Sequence, residues 1–388
     1  MLRSAISRVC LLGWLVFALC VAPSTRAGDL EDFFTVNEND GSFGGRLYAG
    51  RVAGVRNGDD ITFLQLSGQG RSLTYFGKEQ NGDFDDFVNA NADTIIAILF
   101  PSDLEGAAQG VPGAAARALE AFDRLVDIGT PPAGRRRAGD GADLVARNNT
   151  SALFEYERYH VDGLNGNGFK LTPGYDGRVG LFEVGFAMPL RFNDLEDAKD
   201  TKAYTVGLDL HAKYHWYLLS EWKLIPMIGA GSNLFCIDAD GVPGAGYVRY
   251  GGYVGVATTW RPRASPFVIG GGLLYSVSDV AVPDGLIPDD LEALTDGITS
   301  RPADQQITVG AKAAYEVAEK LYASVGGRHL ETVGSSSIED GKRGLSQVSA
   351  AFGYFPTEYV GLELGYKYLF GASDLSSHAG YLQGVLYF

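Results

Sequence analysis

Cysteine is nearly absent: the 388 residues hold three, and Cys10 and Cys20 both lie in the apolar N-terminal stretch. Once that stretch is cleaved only Cys236 remains, so no intramolecular disulfide can form and the fold must be held otherwise. A lone thiol is compatible with an oxidising compartment, where stray pairs are penalised. Positive charge is also short, with 32 Lys and Arg against 47 Asp and Glu and a formal net charge of −15. With no basic face to neutralise phosphates, nucleic acid is disfavoured as a partner. Beyond residue 27 no apolar run approaches the ~20 residues that a membrane-spanning helix needs. What the chain does have is 52 Gly, 21 Phe and 20 Tyr beside 3 Met, the composition of strands and turns and not of a helical bundle. A soluble β-sandwich would share it, so the placement of aromatics and charges on each strand has to decide.

Residues 1–27 read as a secretory signal. Arg3 and Arg8 form its charged start, Val9 to Ala22 its apolar centre, and Thr25-Arg26-Ala27 its small-residue exit. Bulky Leu19 before Cys20 argues against lipoprotein processing. Cleavage removes Arg3, Arg8 and Arg26 and no acid, taking the formal charge from −15 to −18.

Periodicity is cleanest near the end of the chain. Val360, Leu362, Leu364, Tyr366, Tyr368 and Phe370 fall on one face of a strand, and Gly361, Glu363, Gly365 and Lys367 on the other. Leu382, Gly384, Leu386 and Phe388 alternate in the same way with Tyr381, Gln383, Val385 and Tyr387. An apolar face with aromatics gathered at one end, backed by charges and glycines, is the pattern of a lipid-facing wall around a polar lumen. The run Gly361-Leu-Glu-Leu-Gly-Tyr-Lys-Tyr-Leu369, with a closing strand that stops on Phe388, resembles the end of bacterial outer-membrane β-barrels of the OmpA and opacity type. The resemblance covers roughly residues 306–388 and carries no residue-specific activity. It implies an all-β membrane fold in the Gram-negative outer membrane, with Phe388 as the signal read by the barrel-assembly machinery. Outer-membrane lipids and lipopolysaccharide are then its surroundings.

From Thr150 onward a meander of eleven strands is expected: Leu153–Val161, Gly180–Phe192, Tyr204–Leu218, Lys223–Phe235, Val248–Trp260, Phe267–Ser278, Ile307–Val317, Leu321–Leu330, Gln347–Phe355, Val360–Phe370 and Gly380–Phe388. Short connections alternate with long polar ones, as in outer-membrane barrels with their long loops outside the cell. Val309 to Glu331 aligns without a gap on Val348 to Phe370 at an offset of 39, so one hairpin unit is reused. Tyr-x-x-x-Glu recurs at the tight turns, in Tyr217/Glu221, Tyr315/Glu319 and Tyr354/Glu358, which places a tyrosine at the membrane edge and a carboxylate in water beyond it. Because such barrels have even strand numbers, a further strand is expected upstream, from Thr94–Phe100 or from a strand before Arg56. The expected fold is an antiparallel transmembrane barrel of about twelve strands, with eight or fourteen as alternatives, and one short helix in an N-terminal insertion.

The region 28–149 precedes the barrel proper at 150–388. Phe33 to Asn37, Leu47 to Val55, Ile61 to Leu66, Ser72 to Phe76 and Thr94 to Phe100 can each form a short strand, with faces too mixed to separate barrel strands from an accessory domain. Pro112 to Ile128 reads as a helix, with Ala115, Leu119, Phe122 and Val126 on one side and Arg117, Glu120, Arg124 and Asp127 on the other. It serves as a plug crossing the lumen or as part of an extracellular or periplasmic insertion, and the insertion is the favoured reading. Residues 131–149, with Arg135-Arg136-Arg137, read as a linker.

The richest inward face is on Tyr204–Leu218, where Thr205, Asp209, His211, Lys213, His215 and Tyr217 point into the lumen and Tyr204, Val206, Leu208, Leu210, Ala212, Tyr214, Trp216 and Leu218 point to lipid. Along one strand residues two apart lie roughly 7 Å from one another, so neither His211 with Asp209 nor His211 with His215 makes a metal site unaided. Other expected inward charges are Glu183, Arg191, Arg249, Lys312, Glu316, Arg328, Glu363 and Lys367. Both signs occur, which fits ion pairs filling the lumen or a weakly selective passage for small polar solutes. Acid clusters in the long loops lack the spacing of a calcium loop. No cofactor is implied, and no catalytic or metal-binding residue is assigned.

The leading expectation is a structural or surface barrel or a passive, porin-like pore. Two alternatives stand beside it. Asn37-Glu38-Asn39-Asp40 followed by Tyr48-Ala49-Gly50 faintly resembles the opening of lipid A deacylase barrels, and that resemblance implies a barrel-embedded lipid hydrolase with Asn39 and Asp40 as cation ligands. The charged helix ahead of the first clear strand suits an autotransporter-like anchor for residues 28–149.

Overall fold

A computed structural model of the chain describes residues 34–47, 50–58, 60–68, 70–77, 83–99, 105–106, 113–126, 148–161, 164–196, 201–239, 242–262, 265–283, 286, 299, 302–334, 344–357, 359–371 and 375–388. The expected signal at 1–27 and the arginine run at 135–137 lie outside these residues.

Alternating side chains and frequent glycine give long antiparallel strands. They are β6 (Asn149–Val161), β7 (Leu164–Val179), β8 (Phe182–Ala187), β9 (Leu190–Leu195), β10 (Thr201–Tyr214), β11 (Trp216–Leu219), β12 (Trp222–Ala239), β13 (Val242–Trp260), β14 (Phe267–Ala281), β15 (Asp304–Ala318), β16 (Leu321–Gly334), β17 (Gly344–Thr357), β18 (Val360–Gly371) and β19 (Ser376–Tyr387). Staves adjacent in the chain pair, with β8 and β9 both against β7 and β10 and with β10 and β11 both against β12, and β19 returns to β6, Tyr387 opposite Asn149 and Ser376 opposite His160, so the sheet is a closed barrel. Met188-Pro189 splits one stave into β8 and β9, and His215 splits another into β10 and β11, which leaves twelve staves.

The count agrees with the sequence expectation, but the twelfth stave is not where it was sought. It is β7, the second strand, whose four glycines and Pro173 hide the alternation. Tyr159 across the ladder fills part of that gap: a Cβ on Gly166 would lie 2.3 Å from its ring. The expected strand Thr94–Phe100 is instead a helix, because Ile95, Ile98 and Leu99 fall at helical spacing and are all buried.

At one mouth every connection is short, whereas the other mixes short and long ones; the barrel's own ends meet at the first, which is called the tight-turn mouth, and the Phe388 amide donates there to the Asn148 carbonyl at 3.0 Å. Outward side chains form an apolar belt, including Leu210, Ile228, Leu273, Val325, Phe352 and Leu364, all exposed. Aromatic rings rim it near both mouths, with Trp222 by Trp260, Phe267 by Tyr315 and Tyr175 by Phe388 at the tight-turn end, and Phe192 by Tyr204 and Tyr368 by Phe370 at the other. Tyr315 and Tyr354 face outward, whereas Tyr217 turns inward, where its hydroxyl accepts from Arg178 Nη2 at 3.1 Å.

Ahead of the barrel, β1 (Thr35–Val36), β2 (Ser42–Leu47), β3 (Gly50–Asn57), β4 (Asp60–Gly68) and β5 (Arg71–Tyr75) form a separate five-stranded meander. Helices α1 (Asp83–Ala90) and α2 (Ala92–Leu99) accompany it. Its core, with Phe43, Val52, Leu64 and Ile98, is continuous with Leu195, Ala203, Phe235, Ile237 and Tyr247 of the barrel. All five barrel residues sit at the ends of their strands away from the β6–β19 chain ends, so this module caps the mouth opposite the tight-turn mouth. None of β1–β5 enters the barrel wall.

Helix α3 (Gly113–Leu125) lies inside the barrel, not in an insertion outside it. Its N-terminal half packs Ala115, Ala118 and Leu119 on Leu330, Leu345 and Leu369, and its C-terminal half packs Phe122, Leu125 and Val126 on Ile225, Met227 and Ala257. At 1.5 Å rise per residue it is about 20 Å long, and it runs from the long-loop mouth toward the tight-turn mouth. From the sequence the helix suits an insertion or a plug alike, and the wall residues that pair with its charges place it in the lumen.

Candidate functional site

The strands lend α3 a wall of opposite charges. Arg124 reaches Asp209 on β10 at 2.9 Å, and the Tyr253 hydroxyl donates to the same carboxylate oxygen at 2.6 Å. Lys170 on β7 meets Glu120 at 2.5 Å. Arg328 on β16 pairs with Asp123 and donates to the Leu119 carbonyl at 2.7 Å, while Lys367 on β18 stands 3.8 Å from Asp123. Arg117 donates to the Gly231 carbonyl at 2.8 Å and, at 3.3 Å, to those of Arg249 and Gly251. The two glycines leave the strand backbone open to the guanidinium. Each charge on the helix thus has a wall partner; Asp123 keeps about half of its side chain open, at 52%, while the Arg124 and Asp209 pair is mostly enclosed, where an unpaired ion would be costly.

A second tier ties wall residues to one another. Lys367 donates to Glu155 at 2.8 Å, Arg191 stands 3.3 Å from Glu157, and the Tyr381 hydroxyl donates to Glu363 at 2.7 Å with Lys312 at 3.9 Å. At the capped mouth Arg249 bridges Glu105 at 2.8 Å and Asp304 at 2.9 Å. One cavity beside the helix, of about 40 Å³, is lined by Glu120, Asp123, Glu155, Lys170, Arg191 and Lys367. That is room for a few water molecules.

Every expected inward charge can be placed on this map. Asp209, Lys367, Arg328 and Arg249 hold the helix or the segment before it, and Arg191, Lys312 and Glu363 belong to the second tier. Glu316 is half-buried near the tight-turn mouth, its amide donating to the Pro266 carbonyl at 3.0 Å. His211, Lys213, His215 and Glu183 form a separate cluster: Glu183 accepts from Lys213 at 2.7 Å and meets His215 at 2.9 Å, and His211 Nε2 lies 2.9 Å from Asp176. Sequence reasoning missed Glu155, Glu157, Lys170, Asp176 and the helix's Asp123. The signal for the first two was present, since Glu155 and Glu157 alternate with Phe154, Tyr156 and Arg158.

Ligand atoms of Asp176, Glu183 and His211 lie within 4.8 Å of one another, close enough for a cation. Both oxygens of Glu183 are already engaged, one by an ammonium, so ion pairing is the better account of the cluster. Gly185 on β8 makes it feasible, because it sits in register between Asp176 and His211 and leaves a gap through which they touch. A Cβ there would fall 2.2 Å from Asp176 Oδ1 and 2.7 Å from His211 Nε2. Gly185→Val is expected to destabilise the refolded barrel by about 1–3 kcal/mol, read as a lower urea midpoint in detergent micelles; an unchanged midpoint would show that the gap is not needed.

Asn39 and Asp40 lie in the turn between β1 and β2, away from the barrel wall. Asp40 accepts from the Ser42 amide at 2.9 Å and from its hydroxyl at 2.5 Å, and these bonds hold its carboxyl below the usual carboxylate range. Asn37 accepts from the Asn39 amide at 3.1 Å. Both acceptors serve local turn geometry.

Among solved structures the fold is similar to the translocator domain of the autotransporter NalP from Neisseria meningitidis, at 13% identity and a TM-score of 0.47 over 71% of this chain and 95% of that one. The transport unit of the autotransporter AIDA-I from Escherichia coli gives 13% and 0.44 over 71% and 98%. The COG4313 outer membrane channel from Pseudomonas putida F1 gives 12% and 0.43 over 66% and 100%. No family model and no curated protein matches the chain.

Proposed function

We propose that this protein is an outer-membrane barrel that carries its own N-terminal module on the cell surface, with the intervening chain threaded through the lumen. The observation behind this reading is α3, which fills the barrel and is ion-paired to its walls between a module at one mouth and the first stave at the other. The apolar belt and the two aromatic rims fit a bilayer. Short turns on the periplasmic side and long loops outside put the module in the medium. In this reading residues 1–27 direct export and Phe388 is recognised during assembly. A lumen occupied by a helix and a tier of ion pairs favours anchoring over passive diffusion of solutes.

The turn at Gly58, between β3 and β4, has open space around it and tolerates an inserted epitope. Antibody should stain intact cells that carry this insertion, to the same extent as permeabilised ones. Staining only after permeabilisation would place the module inside and end the proposal.

A further inference from the structure

On the outer wall, well away from the lumen, β16 and β17 bring together a serine, an imidazole and a carboxylate. Ser346 stands directly opposite His329 in the ladder, with its Oγ 3.0 Å from Nδ1 of the ring. The other ring nitrogen, Nε2, lies 3.4 Å from Glu331 Oε2. The histidine and glutamate side chains are about half exposed, at 50% and 46%, and Ser346 is partly exposed, so all three groups can be approached from outside. Gly344 faces Glu331 across the ladder, and a Cβ there would lie 3.0 Å from His329 Cε1 and 3.1 Å from Glu331 Oε2; its absence keeps that side open.

We propose that Ser346, His329 and Glu331 form an esterase site facing the outer leaflet, with the acyl ester of a membrane lipid as substrate. The roles follow from the contacts. Glu331 holds the tautomer with the proton on Nε2, which leaves the Nδ1 lone pair to accept the Ser346 proton. Ser346 Oγ bonds to the ester carbonyl carbon, the alcohol leaves with the proton carried by His329, and an acyl-serine remains. Water then adds to that acyl group, giving its proton to His329, and a free fatty acid departs as the serine recovers its hydrogen.

The height of the site names the substrate. Ser346 is flanked in register by Phe370, which stacks on Tyr368 with ring centroids 5.3 Å apart, and exposed Val348 and Val333 lie on the same outward face. Such aromatics mark the membrane interface, where the ester linkages of lipids meet water.

The full chain, purified in micelles, should react with a fluorophosphonate probe and release fatty acid from vesicles of phosphatidylethanolamine, from lipopolysaccharide, or from both, in separate assays. Ser346→Ala should abolish labelling and release. His329→Ala should lower both by roughly a hundredfold, and Glu331→Gln by roughly tenfold. All three lie on the exposed face, so heat-modifiability on gels should stay unchanged and report that the barrel is intact. Labelling that persists in Ser346→Ala, or fatty-acid release no faster than without protein, would overturn the proposal and leave three rim residues that merely bind water.

Discussion

Removing residues 34–126 should turn the barrel into an ion-conducting pore. In the intact chain α3 occupies the lumen, and Asp209, Lys170, Arg328 and Lys367 all spend charge on it. A barrel of twelve staves has room for an aqueous path once that filling is gone. Purified truncated protein in planar bilayers should show single-channel steps at least about ten times the residual current of the full chain. Selectivity should be weak, because the uncovered wall carries both signs. Electrically silent truncated barrels, shown by heat-modifiability to be folded, would mean that the wall collapses inward and that the helix is not what closes it.

Reversing one helix charge should cost nearly as much as losing the contact surface around it. In Arg124→Glu a carboxylate would face Asp209 across the 2.9 Å now spanned by the ion pair, with Tyr253 able to donate to only one of them. Breaking a buried pair in this way destabilises by about 3–5 kcal/mol. Hydrogen exchange across α3 should accelerate, and the urea midpoint should fall. The swap Arg124→Glu with Asp209→Arg restores the pairing and should recover at least half of the loss, a coupling that a general packing defect would not produce. Additive losses in the double variant would show that the pair does not hold the helix.

The barrel was legible because its strands obey a period of two with unusual purity. Along the stave of β10 and β11 the burial of Thr205, Asp209, His211, Lys213 and His215 alternates with the outward exposure of Tyr204, Leu208, Leu210 and Trp216, as the residue types require. β7 was hidden because glycine and proline carry no facial information, and because neighbouring side chains such as Tyr159 supply what the strand itself lacks. The helix was visible from Ala115, Leu119, Phe122 and Val126, but its place was not. An apolar stripe beside four charges suits water outside or ion pairs within, and only the wall decides. The same limit hid the partners in the lumen: Glu120 and Lys170 are separated by fifty residues of sequence and meet through closure of the barrel.

The seam between β6 and β19 encloses a piece of the chain it belongs to. A folded five-stranded sheet is far wider than a single helix and cannot follow one through a ring of twelve staves. Either the segment crosses before its sheet forms, or the ring shuts around a thread already in place. In both sequences of events the finished sheet acts as a stopper, so a pull on the helix from the tight-turn side loads the barrel rim and not only the ion pairs along the helix. The hold on the helix is therefore steric as well as ionic, and salt strong enough to screen every charge in the lumen should still leave the helix inside the barrel.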